Sequence, residues 1–379
     1  MFDSYSFFSA EELRKQRQIY RFITRRWIYE MGKWYVQKLH LPVPAIYPVT
    51  LIFRHFIGGK NIDEVIVTIQ KFKPKNIKVI LDYAVEGADD QKFFDQNLQV
   101  FLNTMDKISA QKDQIPFLAI KPTALASEKW LRIFSEENIT TAGLEIYKAI
   151  KNRFFALFDK AYKAGVIVLV DAEKSYTQNF VDKMVWEGML QYNKDYPFVW
   201  NTVQLYRKDR LDFMTEEIRA AYLKGIYVGY KLVRGAYHEQ EILEAQKEGR
   251  ESPVFDKKED TDKQYDDAID LSLKNHSRVF FMCATHNKES ILHAMQQMKA
   301  MNLKNNDEHV WFSQLYGMGD YLTYPLAEAG YNVAKYVPFA PISQALPYMI
   351  RRMEENSNAM GMAKYELQLI EKEWKKLKK

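Results

Sequence analysis

From about residue 76 onward the chain repeats one pattern. A short apolar block rich in β-branched and aromatic residues is followed by a longer stretch whose apolar residues recur at helical spacing. The blocks read "NIKVILDYAV", "PFLAIKPTAL", "VIVLVDAE", "PFVWNTVQLY", "IYVGYKLVRG", "RVFFMCATH", "VWFSQLYGM" and "NVAKYVPFA", each a strand candidate. The intervening helix candidates are Asp90–Ile108, Tyr176–Asn193, Thr215–Lys224, Glu289–Met301 and Pro341–Asn356, and the connection over 127–165 is long enough for more than one helix. Eight strands alternating with helices over about 280 residues predict a (β/α)8 TIM-type barrel of the α/β class. An open doubly wound sheet is the rival. It is disfavoured by the count and by "ILDYAVEGADDQ" after the first strand, which lacks GxGxxG.

The pattern changes at both ends. Residues from about 9 to 60 read as helices, opening on Ser9 with Glu12 three positions later as a capping box. Pro42, Pro44 and Pro48 interrupt them. The last segment, "KYELQLIEKEWKKLKK", reads as a terminal helix with a basic end. The predicted organisation is an N-terminal helical region over 1–65, a catalytic barrel over 66–357 and a C-terminal helix over 358–379.

Composition narrows the function classes. Of 379 residues, 47% are hydrophobic and 14% aromatic, ample for a large core, and 27% charged residues supply a soluble surface. A formal net charge of +5 is small for this length and gives no reason to expect a nucleic-acid partner. The one cysteine, Cys283, excludes an intramolecular disulfide and a Cys-rich metal site, and is expected to pack inside the sixth strand. The scattered histidines give no metal-spacing motif, and HExxH, P-loop and GxSxG motifs are absent. No secretory signal is expected at the N-terminus, and no apolar run approaches the roughly 20 residues of a membrane span. Peripheral membrane contact through aromatic-rich helices stays compatible with the pattern.

In a barrel enzyme the chemistry sits where strands end. The strand ends carry, in order, Asp82, Tyr83 and Glu86; Lys121 and Thr123; Asp171 and Glu173; Gln204 and Tyr206; Lys231, Arg234 and Tyr237; Thr285, His286 and Asn287; Gln314 and Tyr316; and Lys335 and Tyr336. Burying so many polar groups is costly unless they pair with one another or with a polar ligand. Blander readings stand beside the functional one, among them Gly235, Gly317 and Gly319 as turn residues and Arg351–Arg352 as a solvated helix face. Asp82 and Asp171 also read as salt-bridge partners of Lys121 within a barrel layer, and His286 as a core or helix-start histidine. Arg351 and Arg352 follow the eighth strand with Tyr348 one helical turn before them, a set suited to anchoring a carboxylate.

The stretches "YKLVRGAYHEQE", "ATHN", "QLYGMGD" and "KYVPFAPISQALPYMIRRMEEN", with "LDYAVEG", "KPTAL", "DAE" and "NTVQLY" before them, closely resemble the proline dehydrogenase family over roughly residues 50–357. "KLVRGAY", with lysine first, looks more like the stand-alone and mitochondrial-type enzymes. The resemblance implies oxidation of L-proline to Δ1-pyrroline-5-carboxylate by hydride transfer to non-covalent FAD. Electrons then pass to a membrane quinone, as the first step of proline catabolism toward glutamate.

Carried over by position, Lys121, Arg351 and Arg352 would hold the substrate carboxylate. Tyr336 and Tyr348, with Leu315 and Tyr237, would shape the ring pocket, and Asp171 would organise it. Gln204, Lys231, Arg234, Thr285, His286 and Glu355 would serve the flavin, with Gly235 and Ala236 allowing close backbone approach. Tyr348 favours proline over hydroxyproline, because the hydroxyproline enzymes carry a smaller residue there. The alternatives are a hydroxyproline or other cyclic imino-acid dehydrogenase, and a non-catalytic proline-sensing barrel. His238 departs from the tryptophan or aliphatic residue of many members. The resemblance further implies a separate pyrroline-5-carboxylate dehydrogenase downstream. It also implies a cytoplasmic enzyme or one peripheral on the inner face of the cytoplasmic membrane, or on the mitochondrial inner membrane in a eukaryote.

One local question is left by the strand itself. Lys231 and Arg234 are three positions apart, and a regular strand points such residues to opposite faces.

Overall fold

The computed structural model describes residues 2, 5–25, 30, 53–85, 90–137, 139–342, 344, 345, 348 and 362–378. Eight parallel strands close into a barrel in sequence order. They are β1 (Lys78–Tyr83), β2 (Phe117–Ile120), β3 (Ile167–Val170), β4 (Val199–Gln204), β5 (Val228–Val233), β6 (Val279–Ala284), β7 (Val310–Leu315) and β8 (Val333–Phe339). Each falls within the apolar block that predicts it. The described helices are α1 (Ala10–Ile23), α2 (Ile62–Ile69), α3 (Gln91–Ser109), α4 (Glu128–Ser135), α5 (Thr141–Ala164), α6 (Ser175–Tyr192), α7 (Arg210–Lys224), α8 (His238–Lys247), α9 (Lys258–Lys274), α10 (Lys288–Ala300), α11 (Asp320–Glu328) and α12 (Met362–Lys376).

Three differences from the sequence reading have physical causes. Helix α7 begins at Arg210, five residues before the expected Thr215, because Arg210 is drawn inward to Asp182, 2.8 Å away. Helices α8 and α9 were not anticipated, since their buried faces rest on Glu241 and Ala245, and on Thr261, Gln264, Ala268 and Ser272 among larger residues. Such small and polar residues dilute the apolar stripe that marks a helix. Helix α11 contains Pro325, which reads as a breaker but is tolerated within its nine residues. Of the expected Pro341–Asn356 helix, residues 341, 342, 344, 345 and 348 are described, the last four of them helical, and the others lie outside the described residues.

The chain divides into two compact units, Glu86–Ser313 and Met1–Val85 with Gln314–Lys379. In the first, strands β2 to β6 lie in register, with Ala119 beside Leu169, Leu169 beside Trp200, Thr202 beside Lys231 and Lys231 beside Met282. Side chains alternate between the helix layer and the opposite, interior face. Asn201 of β4 faces the helices and donates to Asp182 of α6 at 3.0 Å, so Trp200 and Thr202 face inward. Trp200 is fully buried beside Phe117, with ring centroids 5.7 Å apart.

In the second unit α1 is capped as predicted. The Ser9 hydroxyl accepts from the Glu12 amide at 3.3 Å, and the Glu12 carboxylate accepts from the Ser9 amide at 2.8 Å. Arg17 and Arg21 of α1 meet Glu371 of α12 at 2.9 and 2.6 Å. Beneath them Glu366, fully buried, accepts from the Tyr5 hydroxyl, from the Tyr20 hydroxyl at 2.8 Å and from the Gly319 amide at 2.9 Å. Burial pushes the Glu366 carboxyl up to about 7, although these donors pull the other way. Among the described residues no helix is long and apolar enough to cross a membrane.

Candidate functional site at the strand ends

Three strands of the larger unit bring charge to one point. Lys121 follows β2, Asp171 follows β3 and Lys231 lies within β5. The Lys121 ammonium is 3.3 Å from one Asp171 oxygen, and the Lys231 ammonium bonds the other. The three side chains are 13%, 14% and 7% exposed, so neither amine is solvated as a surface lysine would be. Backbone register holds the carboxylate: the Asp171 amide donates to the Ile120 carbonyl at 2.8 Å. The bland reading of Asp171 as partner of Lys121 describes a real contact, and Lys231 is a second cation on the same carboxylate.

Lys231 and Arg234 point to opposite faces, as strand geometry requires. Tyr230 is on the helix side, where its hydroxyl faces Glu217 of α7. Lys231 is consequently on the interior face with Asp171. Arg234 has the parity of Tyr230 and projects among the helices. It donates to Asp262 of α9 at 2.6 Å, to the Thr285 hydroxyl at 2.7 Å and to Ser290 of α10 at 3.0 Å. Its guanidinium also lies 4.4 Å from the Tyr265 ring centroid. No twist or bulge unites the two cations. One belongs to the interior cluster, and the other ties the ends of β5 and β6 to α9 and α10.

Beyond Arg234 the backbone turns at Gly235, with φ +139°, and a Cβ there would lie 2.5 Å from the Tyr206 ring. Only glycine fits, and the residue it accommodates is Tyr206. Gly235 and Ala236 are exposed, and the Ala236 amide donates to the Gln204 side chain at 3.3 Å. The Gln204 amide donates to the Glu173 carbonyl at 2.7 Å. Glu173 is buried and receives the Thr123 hydroxyl at 3.0 Å, while Tyr237 comes to 3.5 Å of its other oxygen. Thr285 and His286 follow β6, directly before Asn287, which caps α10. The Thr285 oxygen takes the Asn287 amide at 3.0 Å. His238 opens α8, and its Nε2 sits 2.7 Å from the Phe255 carbonyl, fastening the approach to α9.

Sequence reasoning missed the supports of this cluster. Asp262 and Ser290 hold Arg234, and buried Glu241 of α8 receives both the amide and hydroxyl of Ser175 at 2.6 Å, closing the N-terminus of α6. The signal for Asp262 was the helix α9 itself. Cys283 is buried as expected, and burial raises its thiol above the usual range, which removes it as a nucleophile.

In the other unit, Tyr336 and Tyr348 are buried, and the Tyr336 carbonyl accepts from the Tyr316 amide at 2.8 Å. Leu315 passes its carbonyl to Lys335 at 3.2 Å. Lys335, with no exposure, also bonds the Met318 carbonyl at 2.5 Å and Asp320 at 2.7 Å. Gly317, at φ +77°, leaves room for the His55 carbonyl, which a Cβ would approach to 2.2 Å. Arg351, Arg352, Glu355 and Glu86 lie outside the described residues.

A family model described as proline dehydrogenase matches residues 65–364. The carbapenem antibiotics biosynthesis protein CarD of Pectobacterium carotovorum subsp. carotovorum is 35% identical over 328 residues, covering 86% of this chain and 84% of that protein. The mitochondrial proline dehydrogenase 1 of Arabidopsis thaliana is 29% identical over 367 residues, covering 86% of this chain and 74% of that protein. Among solved structures, proline utilization A from Bdellovibrio bacteriovorus, inactivated by N-propargylglycine, superposes with a TM-score of 0.73 at 21% identity over 81% of this chain. The chain spans 32% of that protein's length, and the likeness is one of fold.

Proposed function

The chain belongs to the proline dehydrogenase family, and from that premise we propose that it oxidises L-proline to Δ1-pyrroline-5-carboxylate, with FAD as the first electron acceptor and a quinone as the next. The observation that carries the reading is the Lys121–Asp171–Lys231 cluster. It gathers two ammoniums on one carboxylate at the ends of barrel strands, where a substrate carboxylate could make a charge-assisted contact.

In this reading Lys121 binds the carboxylate and Asp171 fixes the position of its amine. Orientation matters because a substrate held in one pose reacts from a small set of geometries. The residues around β5 fit a flavin. Gly235 and Ala236 present exposed backbone just after β5, the Ala236 amide is held by Gln204, and Arg234 is bonded to Thr285. FAD, when bound, supplies the two-electron acceptor that side chains lack. Lys231 would hold a positive charge near it, and Arg234 would keep the β5 and β6 ends from parting. Leu315, Tyr237, Tyr336 and Tyr348 are proposed to shape the substrate ring's pocket. Arg351 and Arg352 for the carboxylate, and His286 and Glu355 for the flavin, are proposed on the family resemblance. The catalytic barrel is taken to span 66–357. A quinone acceptor implies work at a membrane surface, and a separate enzyme would oxidise the product.

The test is turnover of L-proline by the purified protein with a soluble quinone analogue, trapping the cyclic imine product. Imine formed from proline, and more slowly from hydroxyproline, supports the proposal. No imine from either substrate, or faster turnover of hydroxyproline, refutes it.

A further inference from the structure

We propose that His276, Asp307 and His309 form a binding site for one divalent transition-metal ion of the zinc type, at the N-terminal ends of β6 and β7. No spacing motif marks it, because His276 and Asp307 are 31 positions apart. The fold joins them. His276 lies in the turn between α9 and β6, where the Arg278 and Val279 amides both return to the Asn275 carbonyl, at 2.9 and 3.0 Å. Asp307 and His309 lie in the turn before β7, where the Val310 amide donates to the Asp307 carbonyl at 3.2 Å. The Phe281 amide of β6 donates to the His309 carbonyl at 2.7 Å, which fixes one turn against the other.

The three side chains converge on one oxygen. Asp307 Oδ1 lies 2.8 Å from His276 Nε2, 3.1 Å from His309 Nδ1 and 3.0 Å from the His309 amide. The imidazole centroids are 4.1 Å apart, and the His309 ring packs 4.0 Å from the Phe280 ring, which limits its rotation. The candidate ligand atoms all lie within 4.8 Å of one another. Metal–ligand bonds of roughly 2.0–2.2 Å in a tetrahedron set neighbouring ligands about 3.3 Å apart. The two observed N···O separations need to open by only a few tenths of an ångström.

The arrangement is crowded, since two ring nitrogens and a backbone amide surround a single oxygen. An ion at its centre turns both ring nitrogens into ligands and leaves the backbone amide on Oδ1. Two imidazoles and a carboxylate suit zinc, cobalt or nickel better than magnesium or calcium. The side chains are 23%, 17% and 17% exposed, open enough to admit an ion and water as further ligands. The site lies at the opposite end of the strands from Lys231 and Thr285. The ion would therefore staple the two turns and take no part in proline oxidation.

The experiment is calorimetric titration of Zn²⁺ into chelator-treated, flavin-loaded protein without a polyhistidine tag, with thermal unfolding measured in parallel. One equivalent should bind with a dissociation constant in the micromolar range or tighter and raise the melting temperature. His276→Gln should weaken binding at least about tenfold. Asp307→Asn, which keeps an acceptor oxygen and hence the turn, should do the same, and both variants should oxidise proline at the wild-type rate. If His276→Gln fails to fold, Asp307→Asn decides alone. Absence of a stoichiometric site in the wild type, or undiminished zinc binding in Asp307→Asn, overturns the proposal.

Discussion

Asp171→Asn removes the negative charge that Lys121 and Lys231 share while preserving shape. In the native protein each carboxylate oxygen serves one ammonium. The amide keeps one acceptor oxygen and turns an N–H toward the other lysine. A charge-assisted hydrogen bond contributes about 1.5–3 kcal/mol and a neutral one about 0.5–1.5 kcal/mol. One bond is therefore weakened and the other lost, and two cations with 7% and 13% side-chain exposure lose the carboxylate they share. Breaking a fully buried pair costs about 3–5 kcal/mol. Some solvent reaches these amines, so about 3 kcal/mol is the reasoned value, or about a hundredfold in rate if it is expressed at the transition state. The loss should fall on kcat, because an anionic substrate still meets two ammoniums but not in the required positions. The assay is steady-state proline oxidation, with flavin content and melting temperature measured on the same preparation. A kcat within threefold of wild type would refute the claim that Asp171 organises the site.

Gly235→Ala places a Cβ 2.5 Å from the Tyr206 ring at φ +139°, and should cost about 1–3 kcal/mol from backbone strain alone, before the clash is counted. An unchanged melting temperature would show that the turn can relax. Lys335→Met strands Asp320 beside a fully buried position, with an expected loss of about 3–5 kcal/mol in chemical denaturation; adding Asp320→Asn should restore part of it, the bonds to the Leu315 and Met318 carbonyls staying lost, and additive losses would refute the pairing. The Glu366 carboxyl is raised to about 7 by burial, so the folded state holds a proton that the unfolded chain releases above its ordinary value of 4.5. That contribution is present in full below 4.5 and lost as pH rises through about 7. Glu366→Gln should flatten melting temperature against pH over this window, and a profile parallel to wild type would contradict it.

The barrel was legible because its strands are short, apolar and regularly spaced, and burial of nearly every strand residue leaves little ambiguity of period. Helices α8 and α9 were not, since their inward faces rely on Glu241 and Gln264 held by specific hydrogen bonds that no local pattern announces. The same blindness hid Asp262, and with it the reason Arg234 cannot join Lys231. The alternation rule puts those two cations on opposite faces, although the resemblance assigned both to the flavin. What it could not supply was their partners, because Asp171 and Asp262 are 60 and 28 positions away from the cations they meet. Gly235 shows a subtler limit. Its need for glycine was visible, but the ring that it clears comes from Tyr206 after a different strand.

The most direct measurement is the visible spectrum of the purified protein before and after L-proline is added without oxygen. The account predicts flavin absorbance that bleaches on addition of proline and returns when a quinone is supplied. A protein that binds no flavin under saturating FAD, or whose flavin stays oxidised in the presence of proline, would contradict it.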